Sequence, residues 1–288
     1  MKDAVIGIDI GGSHITACVV NIHDKQVLQH TYVRDHIDPS QSPENIIEAW
    51  AKIISDCGNK HQEKMEHIGI AMPGPFDYEK GISYIQGLHK YESLYGLNVK
   101  ALLAEALHIS TEHIRMMNDA SAFLAGEANA GAGKNCNHLV GLTLGTGLGS
   151  SIHDGEKFED CELWRFPFRE SRAEEYVSSR WFVSTHRNRT KETVTGVKEL
   201  AVKAETDEKV MEMFKAFGAT LGEMLVNRFH HAFPEKIVIG GNIANAWDLF
   251  INESRQWLQK HGHNCTLVKA TLGEQAALIG AACLWLKD

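Results

Sequence analysis

Residues Val5 to Val20 form two apolar, β-branched runs joined by Gly11-Gly12-Ser13-His14, the signature of a β-hairpin. The pattern returns later: Gly7-Ile8-Asp9-Ile10-Gly11-Gly12-Ser13 aligns without a gap on Gly141-Leu142-Thr143-Leu144-Gly145-Thr146-Gly147. A repeat this widely spaced is too long for a solenoid. It predicts two similar halves, each presenting a glycine hairpin to a shared cleft. Adjacent glycines bend the backbone tightly and let its N–H groups approach an anion closely. Asp9 precedes the first turn, and a carboxylate beside amide donors suits a phosphate held with a divalent cation. A solvated aspartate beside an ordinary glycine turn fits that stretch equally well.

At 288 residues the chain can bury a large core as one large or two moderate domains. A net charge of -8 and a pI near 6.0 argue against the basic stripe of a nucleic-acid binder. The local basic stretch from Arg180 to Lys191 reads as a solvated surface. No charged and apolar leader is evident before the first strand, and no apolar run is long enough to cross a bilayer. A cytoplasmic location is therefore expected. The six cysteines form no Cys-x-x-Cys pair, so neither a zinc knuckle nor a redox dithiol is indicated.

Along the chain, Lys25 to Tyr32 reads as a third strand, and Ser42-Pro43-Glu44 opens a helix through Cys57. A strand from His67 to Met72 runs into the rigid turn Pro73-Gly74-Pro75, followed by a long irregular loop over Tyr84 to Asn98. Such loops are more often functional than decorative. Val99 to Leu107 is expected to be a helix, and Ile114 to Met117 a strand leading into Asn118-Asp119-Ala120 and a small-residue helix to Ala130. His138 to Leu144 and Ser150 to His153 flank the second glycine turn. Glu156 to Arg180 has no clear period, with a helix possible over Glu174 to Trp181. Helices follow over Gly196 to Ala204, Asp207 to His231, Ala246 to His261 and Gln275 to Lys287, with strands at Lys236 to Ile239 and Cys265 to Lys269. Alternating strands and helices in both halves predict an α/β fold with helices packed on mixed sheets.

Common nucleotide and metal signatures fail on their context. Gly145-Thr146-Gly147-Leu148-Gly149 nearly matches a dinucleotide fingerprint, but a strand follows where that motif requires a helix. Gly133-Lys134 is followed by Asn135 and lacks the earlier glycine of a Walker A loop. No His-Glu-x-x-His occurs. Asn118-Asp119, at a strand end where a helix begins, could deliver a carboxylate that accepts a hydroxyl proton, or either residue could simply cap the helix. The position of the pair between the two glycine turns favours catalysis for Asp119. Gly240-Gly241-Asn242, at another strand end, could let a flat base pass close to the backbone. Glu162, Trp164 and Trp181 could line a sugar site, although tryptophan is more often core.

These segments, together with Ala71-Met72-Pro73-Gly74-Pro75, Gly126-Glu127 and Ile237-Val238-Ile239-Gly240-Gly241, resemble the ROK family of sugar kinases and sugar-responsive repressors. The resemblance covers nearly the whole chain and implies the two-domain actin-like, ribonuclease H-like ATPase fold. It places a smaller domain at residues 1–118, closed by a helix over 275–288, and a larger one at 119–274. It also implies transfer of the ATP γ-phosphoryl group to a hexose hydroxyl, usually the 6-OH of glucose or a related, including N-acetylated, hexose.

On that likeness Asp119 is the general base, and Asn118, Gly74, Pro75, Glu127 and Glu162 serve the sugar. Asp9 supports Mg²⁺, usually through water; Gly11, Gly12, Ser13, Gly145, Thr146 and Gly147 bracket the phosphates; and Gly240, Gly241 and Asn242 face the adenosine. A homodimer is implied, with no nucleic-acid or membrane partner. Three departures stand out. The cysteine-rich zinc segment of many members is missing, with Cys161 alone in Glu156 to Arg180, so no zinc site is expected. Glu162-Leu163-Trp164-Arg165 replaces Glu-Leu-Gly-His, and Gln86-Gly87-Leu88-His89 stands where an Asn-Leu often helps hold the sugar. The alternatives are a sugar-sensing regulator, an actin-like ATPase acting on a protein, and a kinase using polyphosphate or an amino sugar. With four residues before Val5, no helix-turn-helix is expected ahead of the first strand.

Overall fold

The computed structural model describes residues 4–61, 66–88 and 90–286; His89, singled out above, lies outside them. The chain forms two compact units, Met1–Lys134 with Glu274–Asp288, and Asn135–Gly273.

In the first unit, strands β1 (Ala4–Ile10), β2 (His14–Asn21), β3 (Gln26–Val27) and β4 (Val33–His36) precede helix α1 (Pro43–Asn59). Next come β5 (Ile68–Met72), the short pair β6 (Phe76–Asp77) and β7 (Ile82–Ser83), and α2 (Val99–Ala106). Strand β8 (Ile114–Asn118) leads directly into α3 (Asp119–Ala130). The main sheet runs β3-β2-β1-β5-β8, with β4 also on β2. Strand β1 pairs antiparallel with β2 and parallel with β5. Ser42 caps α1 by accepting from the Asn45 amide, ahead of Pro43 and Glu44. The helix buries Ile46, Ile47, Trp50, Ile53 and Ile54 on one face, the stripe that sequence periodicity requires.

The second unit contains β9 (Leu139–Leu144), β10 (Leu148–His153), β11 (Phe158–Asp160), β12 (Pro167–Phe168) and β13 (Ser171–Arg172). Helices α4 (Ser179–Thr190), α5 (Val197–Lys203) and α6 (Glu208–Phe229) follow. Strand β14 (Lys236–Gly240), α7 (Ile251–Lys260) and β15 (Thr266–Lys269) complete it. Its sheet, β11-β10-β9-β14-β15, repeats the order of the first: a hairpin followed by two parallel strands. The glycine motif therefore repeats because its supporting sheet repeats.

Helix α8 (Gln275–Ala282) returns to the first unit. It packs against α3 at backbone distance: a Cβ on Gly126 would stand 2.0 Å from the Ala276 carbonyl oxygen, and one on Gly280 would stand 1.8 Å from that of Ala122. No side chain larger than hydrogen fits at either position. This contact binds α3 to the first unit, so the division falls after α3 rather than at residue 118, and the first unit is not the smaller one.

Local expectations shift for identifiable reasons. The strand expected over Lys25 to Tyr32 shrinks to β3, because a 3₁₀ turn at Gln29–Thr31 buries the Thr31 hydroxyl. That hydroxyl accepts from the Val19 amide at 2.9 Å and donates to the Leu28 carbonyl at 2.7 Å. The helix suggested at Glu174 to Trp181 starts only at Ser179, and its sparse buried face, Phe182 and His186, hides it from periodicity. The helix expected from Ala246 is a 3₁₀ segment, Asn242–Leu249, before α7. The closing helix changes to a 3₁₀ turn at Cys283–Trp285.

Candidate active site

Strand β1 ends in a four-residue turn, closed by the Ile10–Ile15 pair and by Gly11 N–H donating to the His14 carbonyl at 2.9 Å. The tip, Gly12 and Ser13, is exposed. A second tie comes from the irregular loop: the Tyr91 hydroxyl donates to the Gly11 carbonyl at 2.7 Å. Tyr91 is fully buried and edge-on to Trp50, with ring centroids 5.2 Å apart. Asp9, half-buried in β1, has its carboxyl pushed up to about 7, first by burial and then by the neighbouring Asp119 charge; Arg34 acts in the opposite sense. Arg34 is itself engaged, donating to Glu274 Oε2 at 2.8 Å.

At the start of α3 the two candidate residues divide the work. Asn118, 8% exposed, is the cap: its Oδ1 accepts from the Ala120 amide at 2.8 Å and the Ser121 amide at 3.2 Å. Its Nδ2 donates to the Tyr78 hydroxyl at 3.2 Å, and that hydroxyl donates to the Met72 carbonyl at 3.0 Å. Tyr78 thus connects the Asn118 amide to the end of β5. A Cβ on Gly74 would lie 3.0 Å from the Tyr78 hydroxyl and 3.9 Å from Asn118 Nδ2, so the Gly74-Pro75 turn and Asn118 share one neighbourhood. With the capping position filled, Asp119 uses one carboxylate oxygen on the Ala120 amide, at 2.9 Å. Burial raises its pKa, opposed chiefly by the Lys90 ammonium. A helix N-terminus favours a carboxylate, so the upward shift means that desolvation wins.

In the second unit, the turn between β9 and β10 is closed by the Leu144–Leu148 pair and by Gly145 N–H donating to the Gly147 carbonyl at 3.0 Å. Ser179 N–H donates to the Gly145 carbonyl at 2.8 Å. Glu174 braces the other side, its Oε2 accepting from the Leu148 amide at 3.0 Å while Oε1 pairs with Arg180. A Cβ on Gly147 would approach that Oε2 to 2.6 Å. Thr146 is exposed at the tip. Gly241, expected to admit a nucleotide ring, also meets a local demand: its φ is +84°, and a Cβ would stand 2.4 Å from the Leu144 carbonyl oxygen. That contact sets Gly240-Gly241-Asn242 beside the second turn, with Gly241 and Asn242 exposed.

Glu127, expected at the sugar, is placed differently from that role, while Trp181 and Trp164 take the core position that tryptophan more often holds. Glu127 is fully buried and its Oε2 accepts from the Ala132 amide at 2.7 Å, holding the loop after α3. Trp181 packs against Phe182 and Phe217 in the second core, and Trp164 joins the same core from its edge. Glu162, in the left-handed region at φ 48°, ion-pairs with Arg165, the residue standing in the histidine position. Sequence reasoning missed Tyr91 and Glu174. Both lie in segments without periodicity, and each reaches its glycine turn only through folding. Among the described residues, no three His, Cys, Asp or Glu side chains gather as a metal-holding group. Asp9 nonetheless suits Mg²⁺, which commonly takes one or two carboxylates and keeps its waters, because its burial and its acidic neighbour leave negative charge to be offset.

The glucokinase of Thermotoga maritima is 30% identical over 151 residues, 52% of this chain and 44% of that protein. The N-acetyl-D-glucosamine kinase of Mannheimia succiniciproducens is 24% identical over 314 residues, covering 97% of this chain and 98% of that protein. A ROK family glucokinase from Streptomyces griseus, solved in complex with glucose and AMPPNP, superposes with a TM-score of 0.79 at 23% identity, covering 99% of this chain and 100% of that one. The likeness shows the fold, that of the actin-like ATPases. The ROK family model matches residues 5–160 and 171–288, passing over the internal segment that carries Glu162 and Arg165. With that match along almost its full length, the chain belongs to the ROK family.

Proposed function

We propose that this protein is an ATP-dependent hexose kinase, transferring the γ-phosphoryl group to a hexose hydroxyl, with the 6-OH of glucose or an N-acetylated hexose as acceptor. The observation that carries this reading is the division of roles at α3: Asn118 caps the helix, leaving Asp119 a carboxylate oxygen for a substrate hydroxyl. Family membership supplies the reaction class, and the relatives include both glucokinases and N-acetylglucosamine kinases.

In this reading Asp119 accepts the hydroxyl proton as the phosphoryl group moves. Its raised pKa brings its basicity nearer neutrality, where a general base works best. The amides of Gly11 to Ser13 and Gly145 to Gly147 hold the phosphates, with Gly241 and Asn242 toward the adenosine. The Gly74-Pro75 turn and the amide of Asn118 border the sugar. Asp9 would hold Mg²⁺ through water, and the ion would supply charge neutralisation for the phosphates. Positioning and charge, rather than covalent chemistry, then supply the rate.

A cytoplasmic homodimer without nucleic-acid partners belongs to the same proposal, supported by the net charge of -8 and the family likeness. Among the described residues, no helix is long and apolar enough to cross a membrane. The test is a coupled assay of glucose, mannose, fructose, N-acetylglucosamine and N-acetylmannosamine with ATP, repeated with polyphosphate. Sugar-dependent ADP formation with at least one hexose is expected. ATP hydrolysis indifferent to every sugar would instead point to an actin-like ATPase.

A further inference from the structure

We propose that Lys90 is a catalytic residue of this site, its ammonium contacting the phosphoryl group in transfer, between the Gly11 to Ser13 turn and Asp119. The proposal rests on the kinase reading above and adds a residue to it.

Lys90 lies in the irregular loop and is half-buried. Its side chain runs alongside the first glycine turn: a Cβ built on Gly12 would find Lys90 Cδ, at 3.8 Å, as its one neighbour within 4 Å. The next residue fixes this placement. Tyr91 is fully buried, donates its N–H to the Pro39 carbonyl at 3.0 Å, and donates its hydroxyl to the Gly11 carbonyl at 2.7 Å. The backbone that carries Lys90 is therefore bonded to the turn beside which its side chain lies.

The charges around it define its use. The Asp119 charge acts on Asp9, and Lys90 is the leading favourable charge acting on Asp119. Arg34, the cation that acts on Asp9, is committed to Glu274. Lys90 makes no ion pair or hydrogen bond with a described residue. A half-buried lysine whose stem lies beside a glycine turn and whose charge acts on Asp119, without a fixed partner among the described residues, is suited to an anion that arrives and leaves.

In the transfer, the sugar oxygen bonds to the terminal phosphorus as the bond from that phosphorus to the bridging oxygen of ATP breaks. The hydroxyl proton passes to Asp119, and the electron pair of the broken bond leaves with ADP. Lys90 donates an N–H to a non-bridging oxygen of the moving group, where charge accumulates.

The test uses the full chain with Lys90→Met and Lys90→Arg. Loss of a preorganised donor predicts a kcat lower by about 10²–10³-fold in Lys90→Met, with the hexose KM within about threefold. Binding of AMPPNP, measured by calorimetry without sugar, should weaken by about tenfold while ADP affinity holds, since ADP lacks the contacted group. Lys90→Arg should recover part of both losses. If Lys90 served only to offset Asp119, the kcat of Lys90→Met would return to the wild-type plateau at higher pH, and that result would overturn the proposal. Equal losses for ADP and AMPPNP, or an unchanged kcat, would do the same. Should Lys90→Met fail to fold, Lys90→Gln carries the same comparison. Wild-type protein inactive with every sugar would refute the kinase reading instead, and the two nucleotide affinities would still decide whether Lys90 meets a terminal phosphate.

Discussion

The two glycine turns have the same motif and occupy the same place in two sheets of the same order, yet they are held by opposite means. The turn after β1 leaves four residues between the last pair, Ile10 and Ile15, and is tied by a neutral phenol, Tyr91, to the Gly11 carbonyl. The turn after β9 leaves three and is tied by a carboxylate, Glu174, to the Leu148 amide, with Arg180 balancing the charge. Repetition thus supplies a frame, and the side chains around it assign the chemistry. In the proposed reaction Asp9, Asp119 and Lys90 at the first turn would meet the ligand. At the second, the acid is spent on the backbone, accepting from the Leu148 amide.

The sharpest way to break this comparison is to remove the base from the first turn's side. Asp119→Asn should lower kcat by about 10²–10⁴-fold with nucleotide and sugar binding retained, read by steady-state kinetics and calorimetry. A near-wild-type rate would return Asp119 to a structural role. Because burial raises its pKa, and the base must be ionised, kcat/KM should fall as pH drops below that raised value.

Asp9 tests the charge at the same turn through stability. Its folded pKa, about 7, lies above the ordinary 3.8, so the folded state binds the extra proton between those values. Its contribution to stability is full below the lower value and is lost as pH rises through about 7. Asp9→Asn should therefore stabilise the free protein at pH 8 by about 1–3 kcal/mol, allowing for solvent screening, while impairing phosphoryl transfer. Thermal melts at pH 4, pH 5 and pH 8 would show whether the gain grows as the pH rises through that interval.

The second turn should respond through its brace. Glu174→Ala leaves the amide of the buried Leu148 without its acceptor, a loss of about 1–3 kcal/mol, and should raise the KM for ATP more than that for the hexose. The smallest effect is expected from Tyr91→Phe, which removes one hydrogen bond to the first turn while keeping the Trp50 contact, for about 1 kcal/mol in denaturant unfolding. If Tyr91→Phe proved as costly as Glu174→Ala, the contrast between a neutral and a charged tie would lose its meaning.

Much of this was legible beforehand. The repeated Gly7 to Ser13 pattern announced two sheets, and Ser42-Pro43-Glu44 marked a helix that begins where expected. Asn118-Asp119 was visible as a pair with two possible uses, but not which residue took which. That depended on Asn118 Oδ1 reaching the Ala120 and Ser121 amides. Glu127 looked like a ligand residue by likeness alone, and burial assigned it to the Ala132 amide.

By itself, the sequence determined the α/β class, the duplication and the positions of both glycine turns, because periodicity and backbone freedom are local properties carried by neighbouring residues. Tertiary structure alone decided that α3 joins the first unit, that Tyr91 and Glu174 brace the turns, and that Lys90 lies against Gly12. Each of these is a contact between residues far apart in the chain, whose energy exists only once the intervening segments have folded.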